Sequence, residues 1–172
     1  MNLYEKTIKE ECVFKGKILD LRIQTVELPN GRTSTREIIK HPGAVAILAF
    51  KENGKLIVVQ QYRKALEMEL LEIPAGKLEY GEKPEDCAKR ELEEETGFKS
   101  DNIEFLGKIC TAPGFCDEVI HIFKATNLYE GKVGGDDDEF INLKEMSIDE
   151  LKENIINGSV IDAKTISALA YL

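Results

Sequence analysis

The sequence has no tryptophan, only two histidines, and no run of 18 apolar residues. Without such a run, nothing is expected to cross a membrane as a helix. With His41 and His121 as the only imidazoles, a histidine-based zinc centre is disfavoured. A metal here would rest on oxygen ligands, which suits Mg2+ or Mn2+. Positive charge is scarce too: 23 Lys and Arg stand against 32 Asp and Glu, a net charge of −9. That balance argues against nucleic-acid binding, which depends on a basic footprint. Cys12, Cys87, Cys110 and Cys116 form no CxxC pair, and the opening MNLYEKTIKEECVFKGK carries no signal-peptide pattern. The thiols are therefore expected to be reduced and the protein cytoplasmic.

What is present describes a folded, globular chain. Hydrophobic residues make up 42% and charged residues 32% of 172 residues, enough for one domain with a real core. Strand-like pieces occupy Ile18–Leu28 and Thr33–Lys40, with Pro29-Asn30-Gly31 as the turn between them. So small a group of strands cannot bury a core alone. Residues 1–40 must pack on the main domain, residues 41–172, or on a second chain, which points to a homodimer. Further strands are expected at Ala44–Phe50, Lys55–Tyr62, Leu70–Ile73, Ile103–Thr111, Val119–Ala125 and Phe140–Leu143. Helices are expected at Pro84–Thr96, Ser147–Ile156 and Ala163–Leu172. Their order predicts an α/β fold, a mixed sheet covered by helices.

The helix Pro84–Thr96 is the unusual element. Proline at its first position, Glu85 and Asp86 in its first turn, and Gly97 at its end mark its bounds. At 100° per residue, Ala88 and Leu92 form the apolar stripe. Glu91 and Glu95 fall beside that stripe, Glu94 lies on the flank next to Glu91, and Glu93 points away. A solvated acidic face would place every glutamate opposite the stripe, and Glu93 alone obeys. Two half-buried carboxylates at i and i+4 repel unless a cation lies between them. Helix geometry alone leaves a divalent-metal site and an ordinary surface helix both open. The preceding loop, PAGKLEYGE, brings two glycines and Glu82 to the same end, and the combination reads as a site.

The stretch resembles the Nudix box: Gly, five residues, Glu, seven residues, then Arg-Glu-apolar-any-Glu-Glu-any-Gly-apolar. Gly76, Glu82, Arg90, Glu91, Leu92, Glu94, Glu95, Gly97 and Phe98 meet every specified position. With ordinary residue usage, a chance match in a chain of this length is on the order of 10⁻⁷. Outside the box, KHPGAV, QQYRKALE, LLEIPAGKLE and DAKT are similar to bacterial ADP-ribose pyrophosphatases, and Pro113 sits sixteen residues beyond Gly97, as in that group.

The resemblance implies a Nudix-type α/β/α sandwich with a small N-terminal β-sheet segment exchanged across a homodimer. It implies hydrolysis of ADP-ribose to AMP and ribose 5-phosphate, with Mg2+, or Mn2+ in its place. Glu91 and Glu95 would be metal ligands, joined by the carbonyl of Ala75 and by Glu94. Glu82 and Arg90 would stand behind them, Arg90 orienting the glutamates, with Gly76, Gly97 and Pro113 structural. The general base in that group comes from a later loop, so Glu139 and then Asp138 of GGDDDEF are the candidates. Arg36, Arg63, Glu118 and Phe14 (or Tyr4) are candidates for substrate contacts. Two other readings remain: a Nudix hydrolase of another nucleoside diphosphate derivative, or a non-catalytic Nudix domain that senses a nucleotide. The intact box and the lack of a helix-turn-helix speak against the second.

Overall fold

Asn30 and Gly31 do turn the chain. Gly31 takes a φ of 78°, its N–H donates to the Leu28 carbonyl at 2.9 Å, and Asn30 Oδ1 accepts from the Arg32 N–H at 3.1 Å. This turn joins two strands of an antiparallel sheet made by β1 (Lys6–Lys15), β2 (Asp20–Glu27) and β3 (Thr33–Lys40), in that order. The computed structural model describes residues 2–132, 134 and 140–172. Contacts divide the chain into two units, Met1–Gly43 with Cys110–Glu118, and Ala44–Ile109 with Val119–Leu172.

In the first unit, β1 is the element the sequence pattern did not indicate. It is exposed along its whole length, and register shifts interrupt it between Thr7 and Lys9 and between Cys12 and Phe14. Irregular pairing with no buried face removes the period-two alternation by which strands are read. The segment 110–118 joins this unit through the Ile39 N–H, which donates to the Phe115 carbonyl at 2.7 Å.

The second unit is built on β4 (Ala44–Ala49), whose six residues are all buried. The chain continues through β5 (Leu56–Arg63), β6 (Met68–Glu72), β7 (Ala75–Lys77), α1 (Pro84–Thr96), β8 (Phe98–Lys99), β9 (Asn102–Cys110) and β10 (Val119–Thr126). It ends with β11 (Tyr129–Glu130), β12 (Ile141–Met146), α2 (Ile148–Ile156) and α3 (Ala163–Ala168). Strand β4 runs parallel to β10 and antiparallel to β7 in the order β7-β4-β10-β9, so the sheet is mixed. A second sheet, antiparallel, has the order β12-β5-β6.

Alternation along β4 makes the layers. Ala44, Ala46 and Leu48 join Leu151 of α2 and Ala168 of α3 in one apolar cluster. Val45, Ile47 and Ala49 join Cys87, Ala88 and Leu92 of α1 in another. Helices therefore cover both faces of the strand, the α/β/α arrangement. Complete burial of a side chain such as Leu92 contributes about 1.5–3 kcal/mol.

Element ends differ slightly from expectation. The strand expected at Phe140–Leu143 starts at Ile141 and extends to Met146. The last helix stops at Ala168 and tightens into a 3₁₀ turn, Leu169–Tyr171. No helix among the described residues is long and apolar enough to cross a membrane.

Candidate active site

Helix α1 is held in place before any chemistry is considered. Gly97 closes it in the left-handed region at φ 71°, its N–H donating to the Glu93 carbonyl at 2.8 Å. Cys87, Ala88 and Leu92 pin its inner face, so Glu91 and Glu95 are set at the seam between the helix and the edge strand β7. Across that seam the Ala75 N–H donates to Glu95 Oε2 at 3.0 Å. Pro74 gives its carbonyl to the Ile47 N–H on β4, at 2.8 Å. By the alternation of antiparallel bonding, the polar groups of Ala75 then turn to the outer edge. At Gly76 an added Cβ would collide with the Glu91 carboxylate, so the absence of a side chain there is what admits that carboxylate to the seam.

Arg90 gathers the other acidic groups. Its Nε and Nη2 donate to Glu82, both at 3.0 Å, and its Nη1 donates to Glu91 at 2.8 Å and to Glu94 at 2.9 Å. Nη2 also reaches the Lys77 carbonyl at 3.2 Å. The guanidinium holds the Glu82 carboxyl down at about 2, aided by the Glu79 N–H and opposed by partial burial. Its own pKa is raised, first by Glu82. Burial pushes the Cys87 thiol beneath it up to about 12, which keeps the sulfur protonated.

Among the described residues, no three of His, Cys, Asp and Glu are grouped to hold a metal ion. The donor types nevertheless fit a hard cation. The Ala75 carbonyl, Glu91, Glu94 and Glu95 offer only oxygen, and the space made by Gly76 puts one carboxylate directly against the backbone.

Glu93, expected to be solvated, is partly covered. It pairs with Lys99 at 3.0 Å and accepts from the Lys132 N–H at 3.1 Å. The candidate bases Glu139 and Asp138 lie outside the described residues.

The candidate substrate residues divide between the units. In the first, Arg36 donates to Glu5 at 2.9 and 2.6 Å and to Ser34 and the Thr35 carbonyl, so its guanidinium is engaged within the sheet. Phe14 is 54% exposed on β1 and Tyr4 is 70% exposed. Pro113 lies in a turn closed by the Cys116 N–H on the Ala112 carbonyl at 2.9 Å. Glu118 accepts from the Thr111 hydroxyl at 2.6 Å and lies 3.6 Å from His41 Nε2. In the second unit Arg63 is docked on Glu72.

Similarity now decides the family. The model for the NUDIX domain matches residues 40–169. The chain belongs to the Nudix family. Residues 5–39 match a second family, described as the nucleoside diphosphate sugar hydrolase N-terminal domain. The "ADP-ribose pyrophosphatase" of Bacillus subtilis is 49% identical over 173 residues, 99% of this chain and 94% of that protein. The "Methanol dehydrogenase activator" of Bacillus methanolicus is also 49% identical, over 170 residues, 98% of this chain and 92% of that protein. A Mycobacterium tuberculosis "ADP-ribose pyrophosphatase" is 36% identical over 95% of this chain and 81% of its own length. A solved structure, "ADP compounds hydrolase", shares the fold with a TM-score of 0.86 at 23% identity, covering 99% of this chain and 94% of that one.

Sequence reasoning about this Nudix chain overlooked one group, the buried charges Glu72 and Lys164 with the half-buried Asp162. Glu72 between apolar neighbours in LLEI was the available signal, since a buried charge demands a partner.

Proposed function

We propose that this protein hydrolyses the diphosphate of ADP-ribose, ADP-ribose plus water giving AMP and ribose 5-phosphate, with Mg2+, or Mn2+ in its place, as cofactor. The observation that carries the reading is the Gly76–Glu91 and Ala75–Glu95 seam, which sets two carboxylates and a backbone carbonyl on one edge. Two relatives named ADP-ribose pyrophosphatase support the choice of substrate.

Glu91, Glu95, Glu94 and the Ala75 carbonyl would hold the cation. A bound divalent cation neutralises diphosphate charge and lowers the pKa of an attacking water. Arg90 orients Glu91 and Glu94, and Glu82 keeps Arg90 in its place. Arg63, Arg36, Glu118 and Phe14 are the residues we assign to substrate contact. Glu139, with Asp138 second, is assigned to take the proton from water. We place the enzyme in the cytoplasm as a homodimer, its first 40 residues exchanged between subunits.

The test is product analysis of ADP-ribose incubated with protein and Mg2+, with a chelator control and a Glu91→Gln variant. Chelator-sensitive release of AMP and ribose 5-phosphate, reduced by about two orders of magnitude in the variant, is expected. Faster turnover of another nucleoside diphosphate derivative would remove the substrate assignment and leave the chemistry. A second reading, activation of a dehydrogenase, has one observation in its favour: the equal identity to the protein named methanol dehydrogenase activator. Methanol dehydrogenase assayed with and without the protein separates the two.

A further inference from the structure

Three consecutive residues, Ile73, Pro74 and Ala75, are each tied to a different element. The Ile73 N–H donates to Thr165 Oγ1 of α3 at 2.9 Å, the Pro74 carbonyl accepts from β4, and the Ala75 N–H donates to Glu95 of α1. The last tie belongs to the site described above, while the first runs to the far end of the sequence. Strand β7 has only three residues and lies at the edge of its sheet, so its own ladder fixes it weakly.

The Thr165 end is built with care. Ile73 and Thr165 are completely buried. The single hydroxyl of Thr165 accepts from Ile73 and donates to Asp162 Oδ2 at 2.5 Å, and the Thr165 N–H donates to the same oxygen at 3.0 Å. Next to it Glu72, 1% exposed, accepts from Arg63 Nε at 2.7 Å and Nη2 at 2.6 Å, and from Lys164. Lys164 also reaches Asp162 at 3.1 Å. Two cations thus balance two carboxylates around the residue preceding Ile73. Buried ion pairs are poor sources of stability, since apolar groups of the same volume would serve as well. What they supply is direction, and here that direction is given to the strand carrying the Ala75 carbonyl.

We propose that Thr165, backed by Asp162, Lys164 and Glu72, is a positioning residue for the hydrolase site, setting Ile73–Ala75 against Glu95. The inference rests on the proposed hydrolase reading and extends its machinery to the last helix. Thr165 touches neither substrate nor cation; it acts through the backbone of Ile73.

Thr165→Val keeps the side-chain shape and removes both hydrogen bonds, while Thr165→Ser keeps both. Three measurements are read on each: hydrogen exchange in the segment 73–77, Mn2+ binding by electron paramagnetic resonance without substrate, and steady-state kinetics on ADP-ribose. Thr165→Val is expected to exchange faster in that segment alone. It should bind Mn2+ about tenfold more weakly and lose about tenfold in kcat with KM little changed, and Thr165→Ser should restore all three. If Thr165→Val fails to fold, Thr165→Ala, which also lacks the hydroxyl, takes its place. Wild-type Mn2+ affinity and kcat in the variant, with any loss confined to melting temperature, would overturn the proposal. A wild type that binds Mn2+ but hydrolyses no nucleoside diphosphate would overturn the hydrolase reading, and exchange with Mn2+ binding would still decide this one.

Discussion

The Glu91 carboxylate rests against the backbone of Gly76 with no room for a Cβ between them. Glycine is needed here for space, and its φ lies outside the left-handed region. Gly76→Ala should therefore push Glu91 off the seam while leaving the strand conformation allowed. The expected result is a fall in kcat of about 10–100-fold with little change in melting temperature. Wild-type turnover in this variant would show that the seam does not set the position of Glu91.

Arg90 serves three carboxylates with one planar fork, at 3.0 Å to Glu82, 2.8 Å to Glu91 and 2.9 Å to Glu94. A lysine ammonium keeps the charge and cannot span the set. Arg90→Lys is expected to lose about 1–3 kcal/mol in urea denaturation, because hydrogen bonds to charged groups are forfeited. Its kcat should fall more than its KM rises, since the glutamates it orients are misplaced rather than removed. An unchanged kcat with lowered stability would make Arg90 structural only.

Glu82 sets a pH window. Its folded carboxyl is held at about 2 against an ordinary 4.5, chiefly by the Arg90 guanidinium. A depressed pKa stabilises the folded state fully above the unfolded value and progressively less as pH falls through the folded one. The difference in melting temperature between wild type and Glu82→Gln should hold steady above pH 4.5 and shrink as the pH falls towards 2. A difference that grew on acidification would contradict the Arg90–Glu82 pairing.

Local features explain what was readable in advance. The bounds of α1 follow from Pro84, the acidic first turn and Gly97, all signals that act within one turn of helix. The strands β4 and β5 were legible because burial leaves apolar runs, and the turn at Gly31 because a positive φ selects glycine. The box spacing placed Gly76, Glu82, Arg90, Glu91 and Glu95 on one loop and helix, and for Arg90, Glu91 and Glu95 the relation follows from helical geometry.

Strand β1 was not legible, since a chain exposed on both faces and broken by bulges leaves no period. Nor was the pairing of the Arg63 guanidinium with the buried Glu72, nine residues on. The pairing of Ile73 with Thr165, 92 residues apart, is the clearest case. Sequence determined that a carboxylate helix follows a glycine-bearing loop, part of which the fold makes into the edge strand β7. Only tertiary structure decided which distant hydroxyl and buried charges hold that strand, because burial turns remote polar groups into obligatory partners and no local pattern records which ones meet.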